Sequence, residues 1–320
     1  MLISQKHLRY ILGILWLADA IFQVQPQMFT TNMINSVLLP TLSAQPAPIA
    51  ASLHAIVTMI TQHLVFFNLL IAVVQAEIGL FLLAGLWVRG TVIISIVWSL
   101  IVWYGGEGMN MLLTGQASVL MGAPGAVLFY PLLGLLLYPR SAASPEESVI
   151  PRERFRLVLA GFWIFAALLQ LQPFWWQPGQ ISQAIHEMTG LGGLNSLFVD
   201  PALVPLIRLT APIEVPLNSA LIVIFLGLGV GLALARPAQL RPLLVVSILL
   251  SILIWAGVQA FGMIFTGLAT DFNSGLLILC MTLACWPKAH APLRNAVPNQ
   301  PVSDKKQPES AVQLANPAVS

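Results

Sequence analysis

Long hydrophobic runs, separated by short stretches that hold most of the charged residues, dominate the pattern of the chain. A bilayer core is crossed by about 20 apolar residues in a helix, with a usable range of about 17–25. Runs of this kind predict membrane-spanning helices at approximately 8–25, 63–87, 88–105, 119–138, 155–172, 213–235, 242–260 and 273–288. The pattern therefore predicts an all-α, polytopic membrane protein with about eight transmembrane helices.

The basic residues fall on alternate sides of these predicted spans. Lys6 and Arg9 precede the first span, and Arg140 and Arg156 lie between the fourth and the fifth. Of the 14 basic residues, only Arg208 falls on the opposite side. Because basic loops stay on the cytoplasmic side, we expect a multi-pass protein of the bacterial cytoplasmic (inner) membrane with both termini in the cytoplasm.

Two sequence patterns occur twice in the same order. The segment from Trp103 to Ala117 shares its Trp, Gly, Met, Thr, Gly and Ala with the segment from Trp255 to Ala269, which begins 152 residues later. Likewise, Gln23-Val-Gln-Pro is echoed by Gln170-Leu-Gln-Pro. Each half would hold four spans and would begin on the same side of the membrane. This predicts two tandem four-helix units in a parallel repeat, related by an axis along the membrane normal.

The repeat and the changes in composition divide the chain into four parts. The segment around residue 145 is rich in Ser, Pro and Glu, and the last residues are rich in Pro, Ala, Asn, Gln and Lys. Such segments have little apolar surface to bury. We predict a first membrane unit at 1–140, a cytoplasmic linker at 141–154, a second membrane unit at 155–288 and a disordered cytoplasmic tail at 289–320.

Composition supports the membrane assignment. The chain is 58% hydrophobic and 8% charged, whereas about 25% of the residues of a soluble protein are charged. The lipid bilayer is thus the expected partner, and a net charge of +2 gives no reason to expect nucleic acid binding. Cys280 and Cys285 are five residues apart in a hydrophobic span, and this spacing favours packing over metal binding.

The polar residues within or beside the spans are the candidates for chemistry, because an ionisable group in a span costs about 2.5–3.5 kcal/mol on insertion scales. Trp16, Asp19 and Gln23 share one helical face. Glu77 lies within the second span, and Gln75 is about 200° away around the helix. The candidate polar site, opening outward, comprises Asp19, Gln23, Glu77, Trp103, Glu107, Thr114, Trp255, Gln259, Thr266 and Asp271.

An alternative interpretation gives these acids a structural role. Glu214 begins the sixth predicted span and Asp271 precedes the eighth, and carboxylates cap helix ends at such positions. The others would then pair with loop amides or Trp indoles. Catalytic residues stay unknown, since the sequence contains neither a GxSxG nor an HExxH motif.

Copper is a further alternative. Met109 and Met111 form an MxM pattern, and His54 and His63 could add imidazole ligands. Soft thioethers select Cu(I). Methionine also fills irregular gaps in apolar packing, so the same residues are consistent with a structural role and no metal.

The segment from Glu77 to Arg89, with the first span and the long outer segment before it, resembles the DoxX/DoxD-type proteins. These are four-helix bacterial membrane proteins, some of which are associated with thiosulfate:quinone oxidoreductase and other redox systems. The resemblance covers residues 8–138, and the chain departs from it by being doubled. In the second half, Ile224-Phe-Leu-Gly occupies the region equivalent to Glu77.

The resemblance implies a redox-associated membrane component that is linked to a quinone or a thiol, with quinone as a possible cofactor and a redox protein as a possible partner. Two other functions stay open on the sequence. Buried acids in a parallel repeat would suit a transporter of small solutes or ions. Acids that only satisfy helix ends would suit a non-catalytic partner in a membrane assembly.

Overall fold

The computed structural model describes residues 4–141 and 147–287, and within these ranges every regular element is a helix. The α-helices are α1 (Gln5–Gln23), α2 (Ala47–Gln62), α3 (Leu64–Ala84), α4 (Val88–Gly105), α5 (Phe129–Gly134), α6 (Arg152–Gln170), α7 (Gln180–His186), α8 (Asp200–Thr210), α9 (Glu214–Leu234), α10 (Pro237–Leu253) and α11 (Asn273–Ala284). Short helical turns, including Thr31–Met33 and Asn195–Phe198, connect them. The predicted tail and the middle of the predicted linker lie outside the described residues.

Four stretches are long and apolar enough to cross a membrane, namely Leu64–Ala84, Val88–Gly105, Asp200–Leu234 and Pro237–Val258. The third joins α8 and α9 through a 3₁₀ turn, and the fourth extends α10 by a π-helical turn. Many large apolar side chains on these helices are exposed, as a lipid-facing surface requires. The fold is therefore that of an all-helical chain compatible with an integral membrane protein.

The region 119–138 departs from the predicted continuous helix. It begins with the 3₁₀ turns Val119–Met121 and Ala126–Leu128, and α5 follows with six residues. Pro124 has no backbone N–H to donate to a helix. Gly125 adopts φ +129°, which side chains of L-residues rarely tolerate. These two residues interrupt the helix that hydrophobicity alone predicts.

Helices α1 and α3 approach closely through glycines. A Cβ atom added to Gly79 would lie 2.9 Å from the Gly13 carbonyl oxygen and 2.8 Å from Leu17 Cγ. Helices α6 and α9 make a similar contact, in which a Cβ on Gly229 would lie 2.8 Å from the Ala160 carbonyl oxygen. Small residues permit such backbone contacts between membrane helices.

The bundle has two chemically different ends. At one end, Arg9 packs against the turn at Gly85, and Arg156 Nη1 donates a hydrogen bond of 2.7 Å to the Ala235 carbonyl oxygen. Both arginines sit at the carboxyl end of a neighbouring helix, where a cation is stabilising. We call this the basic end. The opposite, acidic end carries Glu107, Glu214 and Asp271.

Candidate functional site

A cavity of about 240 Å³ lies within the bundle, toward its acidic end. Helices α1, α2, α3, α4 and α5 contribute to its wall, together with residues 270 and 271 of the segment before α11. Most of the lining side chains are apolar. The polar, indole and phenol groups in the wall belong to Trp16, Asp19, Gln23, Gln75, Trp98, Glu107, Tyr130, Thr270 and Asp271.

Asp19 and Tyr130 form a buried polar contact in this wall. The Tyr130 hydroxyl donates a hydrogen bond of 2.5 Å to Asp19 Oδ2, and both residues are 1% exposed. The Trp16 ring packs on Tyr130 with a centroid distance of 4.4 Å. The hydroxyl and the carboxyl thus sit beside an aromatic pair, away from bulk water.

Gln23 closes the end of α1 through a pair of amide contacts. Its Nε2 donates a hydrogen bond of 2.5 Å to Asn68 Oδ1, and Asn68 Nδ2 donates one of 2.8 Å to the Gln23 carbonyl oxygen. The second contact satisfies a backbone carbonyl at a helix end that would otherwise lack a partner. These two hydrogen bonds join α1 to α3 beside the cavity.

Glu107 lies just beyond α4 and faces the segment before α5. Its Oε1 accepts a hydrogen bond of 3.1 Å from the Val127 backbone N–H. Burial raises the pKa of the Glu107 carboxyl well above its usual value, and the neighbouring Asp271 carboxyl raises it further. Burial also raises the pKa of Asp271. Both carboxyls therefore favour their protonated forms more than exposed acids do.

Five polar atoms around the cavity are buried and have no hydrogen-bond partner among the described residues. Two are indole donors, Trp16 Nε1 and Trp98 Nε1. The other three are oxygens, Asp19 Oδ1, Gln75 Oε1 and Glu107 Oε2. Leaving a buried polar group unsatisfied costs about 1–3 kcal/mol. The five residues that carry these atoms all line one apolar cavity, and a few polar groups in an apolar pocket are expected of a binding site.

The cavity reaches the surface between apolar side chains. Met59 on α2, Leu70 on α3 and Ile101 on α4 line it and are 44%, 40% and 55% exposed. Helices α3 and α4 are two of the four candidate membrane-crossing helices. The rim of the cavity is therefore apolar, whereas Asp19 and Tyr130 lie at depth.

Four of the predicted site residues line this cavity, namely Asp19, Gln23, Glu107 and Asp271. The first two come from α1 and the third from the end of α4. Asp271 comes from the distant segment before α11, where its Oδ1 accepts a hydrogen bond of 2.5 Å from the Asn273 N–H. The structure thus brings together acids that are as much as 252 residues apart in sequence.

Four other predicted site residues do not line the cavity. Their side chains donate hydrogen bonds to backbone carbonyl oxygens of the loops. Trp103 Nε1 donates to the Pro124 carbonyl oxygen at 2.6 Å, and Trp255 Nε1 donates to that of Phe272 at 2.7 Å. The hydroxyls of Thr114 and Thr266 donate to carbonyl oxygens three residues earlier, at 2.7 Å and 2.8 Å.

Gln259 and Glu214 are buried but lie outside the cavity lining. Gln259 Nε2 donates to Ser274 Oγ at 2.8 Å, and its Oε1 accepts from the Gly275 N–H at 2.9 Å. Glu214 accepts hydrogen bonds from the backbone N–H groups of Gly179 and Ser182. These two amides lie at the start of α7, so Glu214 caps that helix.

Glu77 lies elsewhere. It is exposed on α3, while Gln75, two positions earlier, is buried and lines the cavity. A separation of two residues turns a helix by about 200°, so the two side chains point in opposite directions. Glu77 therefore belongs to the outer face of α3 and not to the cavity.

Tyr130 and Trp98 line the cavity but are not among the site residues that the sequence predicts. Tyr130 lies in 119–138, which hydrophobicity predicts to be a membrane span. One available signal was its hydroxyl, because buried Tyr and Trp side chains normally find a hydrogen-bond partner. A tyrosine within an apolar run therefore implies a polar neighbour, which is Asp19 here.

The candidate copper ligands differ in their exposure to solvent. Met109 is buried, whereas His54 and His63 are exposed. Met111 lies in the same 3₁₀ turn as Met109. Among the described residues, no group of three or more His, Cys, Asp or Glu side chains has an arrangement that could hold a metal ion.

Comparison with known proteins found no matching family model, no matching curated protein and no matching solved structure.

Proposed function

We propose that this chain is an integral membrane protein that binds a membrane-dissolved redox carrier of the quinone class in the cavity beside Asp19. The observation that carries the proposal is that five residues lining one apolar cavity each have a buried polar atom without a hydrogen-bond partner among the described residues. A quinone has carbonyl oxygens that accept from indole N–H groups. Its reduced form has hydroxyls that donate to carboxyl and amide oxygens.

The size and access of the cavity agree with this ligand class. A cavity of about 150 Å³ is sufficient for benzene, and the 240 Å³ here leaves room for a substituted ring. The exposed apolar rim at Met59, Leu70 and Ile101 gives a hydrophobic tail a path toward the lipid. The ring would then lie at depth beside Asp19 and Tyr130.

We also propose that the chain crosses the membrane eight times as two tandem four-helix units of DoxX-like type. Local geometry at equivalent positions supports the duplication. The hydrogen bonds of Trp103 and Thr114 have counterparts at Trp255 and Thr266, each 152 residues later. Under the positive-inside rule the basic end is cytoplasmic, which supports an orientation with both termini inside, and we propose the bacterial inner membrane as the location.

Turns of the same unusual backbone conformation support the duplication further. Met109, Asn110 and Met111 have positive φ angles, and so do the residues 152 positions later, Phe261, Gly262 and Met263. Positive φ is uncommon for a residue other than glycine. With Gly108 and Ala260, each run comprises four consecutive positive φ angles, and the matched runs support common descent.

On this alignment, Asp19, Glu107 and Tyr130 of the site come from the first half, whereas Asp271 comes from the second half. Ala166 in α6 is equivalent to Asp19, and Gln259 is equivalent to Glu107. The matched backbone donors Val127 and Gly275 make Ile278 equivalent to Tyr130. These two acids and the phenol are thus replaced by apolar or amide side chains at the equivalent positions, and we propose that the second half contributes to the cavity through Thr270 and Asp271.

The Trp pair shows the same asymmetry. Trp163 Nε1 donates a hydrogen bond of 3.0 Å to Ser247 Oγ. Trp16 Nε1, at the equivalent position, has no partner among the described residues. A donor that is satisfied at Trp163 and has no partner at Trp16 supports ligand binding beside Trp16.

A transporter of small cations or protons is the second candidate. It is favoured by Asp19, Glu107 and Asp271, which line the cavity while none of the lining residues is Lys, Arg or His. Carboxyls without a basic partner can bind a proton or a cation. Flux of a cation or of protons through proteoliposomes would favour this candidate over quinone binding.

The test is to purify the protein in native lipid discs and to identify bound small molecules by mass spectrometry. We expect a stoichiometric quinone, and we expect Trp16→Phe combined with Asp19→Asn to reduce its occupancy at least about tenfold, equivalent to 1.4 kcal/mol. Trp163→Phe, at the equivalent position in the other half, serves as the matched control and should retain the quinone. Recovery of phospholipid alone from the unaltered protein would reject the proposal.

A further inference from the structure

Glu77 is an acid on the outer face of a helix that is long enough to cross a membrane. It is exposed, as are Val73 and Leu80, which lie four residues before and three residues after it on the same face of α3. Within residues 4–141 and 147–287, no side chain makes an ion pair or a hydrogen bond with its carboxyl. The face around it is otherwise apolar.

The depth of Glu77 makes this placement costly. Helix α3 has 21 residues, which corresponds to about 31 Å and matches a hydrocarbon core of about 30 Å. Glu77 lies seven residues before the last residue of α3, about 10 Å inside that end. Because Cα–Cβ bonds tilt toward the helix N-terminus, its side chain points toward the middle of the bilayer and away from the nearer headgroups.

Ionisable residues within membranes normally face the interior of a bundle and pair with another polar group. We infer that the outer face of α3 around Glu77 is an interface for a transmembrane helix of another protein, which carries a Lys or Arg side chain at the same depth. The inference rests on charge complementarity. It does not depend on the ligand of the cavity, because Gln75 and not Glu77 faces that cavity.

A second copy of this chain does not supply the required charge. Basic side chains of the described α1, α4, α6 and α10 lie within the first five residues of each helix at the basic end. The remaining basic residue in a described helix is Arg208, which lies in α8 near the acidic end. A copy inserted in the same orientation therefore presents no described basic side chain level with Glu77.

The first experiment is site-specific photo-crosslinking in native membranes, with the photoreactive residue placed at Val73 or Leu80. The control position is Val223 on α9, an exposed residue of another candidate membrane-crossing helix. We expect a discrete adduct from positions 73 and 80 and none from 223. Mass spectrometry of the adduct should map it to a helix that contains Lys or Arg level with Glu77.

The decisive step is a charge exchange. Glu77→Gln should lower the yield of adduct at least about fivefold, and Glu77→Lys should abolish it. Replacing the partner's basic residue with Glu should restore the adduct in the presence of Glu77→Lys. Because Glu77 is exposed, we expect both variants to keep the unfolding temperature of the unaltered protein, which separates loss of contact from loss of fold.

Three results would overturn the inference. The first is an adduct between two copies of this chain. The second is labelling of lipid alone at positions 73 and 80. The third is an adduct whose yield does not respond to Glu77→Gln or whose mapped helix lacks a basic residue. Quinone occupancy measured in the same Glu77 variants should be unchanged, so a failure of this inference is distinguishable from a failure of the proposed function.

Discussion

At the scale of single residues, the hydroxyl of Tyr130 is the group that satisfies Asp19. One carboxyl oxygen of Asp19 accepts this hydrogen bond, and the other has no partner among the described residues. The pair therefore combines a structural contact with a free acceptor. One oxygen of Asp19 thus contributes to the stability of the site, and the other is available to bind a ligand.

Tyr130→Phe should lower the free energy of unfolding by about 1–3 kcal/mol, because it leaves a second buried oxygen of Asp19 unsatisfied. Tyr104→Phe is the control, since it removes a hydroxyl contact with Ser52 at a partly buried position. That change should cost about 0.5–1.5 kcal/mol. Equal losses in the two variants, measured by denaturant titration in detergent micelles, would contradict the role assigned to Tyr130.

Glu107 should make stability depend on pH. Its folded-state pKa is raised by burial and by Asp271, whereas the pKa of an unfolded Glu is about 4.3. Between these two values the folded protein binds more protons than the unfolded chain. The corresponding stability is therefore fully present below about pH 4 and is lost as the pH rises through the folded-state pKa.

Glu107→Gln should flatten this dependence and should make the protein more stable than the unaltered one at the alkaline end. The measurement is the unfolding temperature in lipid discs across a pH series. Glu187→Gln, which removes an exposed acid, should keep the slope of the unaltered protein. A Glu107→Gln profile that runs parallel to the original would show that this carboxyl is not the source.

At the scale of elements, the contact between α1 and α3 depends on Gly79. A methyl group there would approach a backbone oxygen of α1 and Leu17 within 3 Å. Gly79→Ala should therefore destabilise the protein by about 1–3 kcal/mol, the usual cost of overpacking. Gly227→Ala in α9 meets nothing within 4 Å and should be neutral or stabilising by up to about 1 kcal/mol. Unfolding free energies that rank the variants in the opposite order would exclude the close packing.

The route into the cavity can be tested on α4. Ile101 lines the rim, whereas Leu100 is similarly exposed but lies outside the lining. If the proposed quinone enters from the lipid, Ile101→Trp should slow its association at least about fivefold and Leu100→Trp should leave the rate unchanged. Quenching of intrinsic Trp fluorescence by a long-tailed quinone gives the rate, and equal rates in the two variants would exclude this route.

Hydrophobicity was sufficient to predict the long helices, and local backbone chemistry explains where it failed. The apolar runs that form α3, α4, α9 and α10 are long and contain few charges. Residues 119–138 are also apolar on average, but Pro124 and Gly125 interrupt the helix there. Hydrophobicity measures preference for lipid or core, and it does not measure the ability of the backbone to continue its hydrogen bonds.

The faces of α3 show why the site was predicted only in part. Helical spacing places Gln75 and Glu77 on opposite sides, and apolar residues surround both of them on α3. Nothing in its pattern indicates which side faces the bundle. Helix α1 is more amphipathic, so its polar face with Asp19 and Gln23 could be recognised from the sequence.

At the scale of the whole molecule, the cavity draws on distant parts of the chain. Its wall combines α1 to α5 with Thr270 and Asp271, which come after α10. Spacing in sequence could not reveal this contact, because it depends on how helices from both ends of the chain pack. The repeated patterns predict two halves. They do not indicate which segments of one half pack against the other half.

The late position of Thr270 and Asp271 has a consequence for biosynthesis. Helices α1 to α5 leave the ribosome first, and the last wall of the cavity follows only after α10 has been made. During translation the cavity therefore lacks the part of its wall that Thr270 and Asp271 form. Nascent chains arrested before residue 270 would lack a complete cavity.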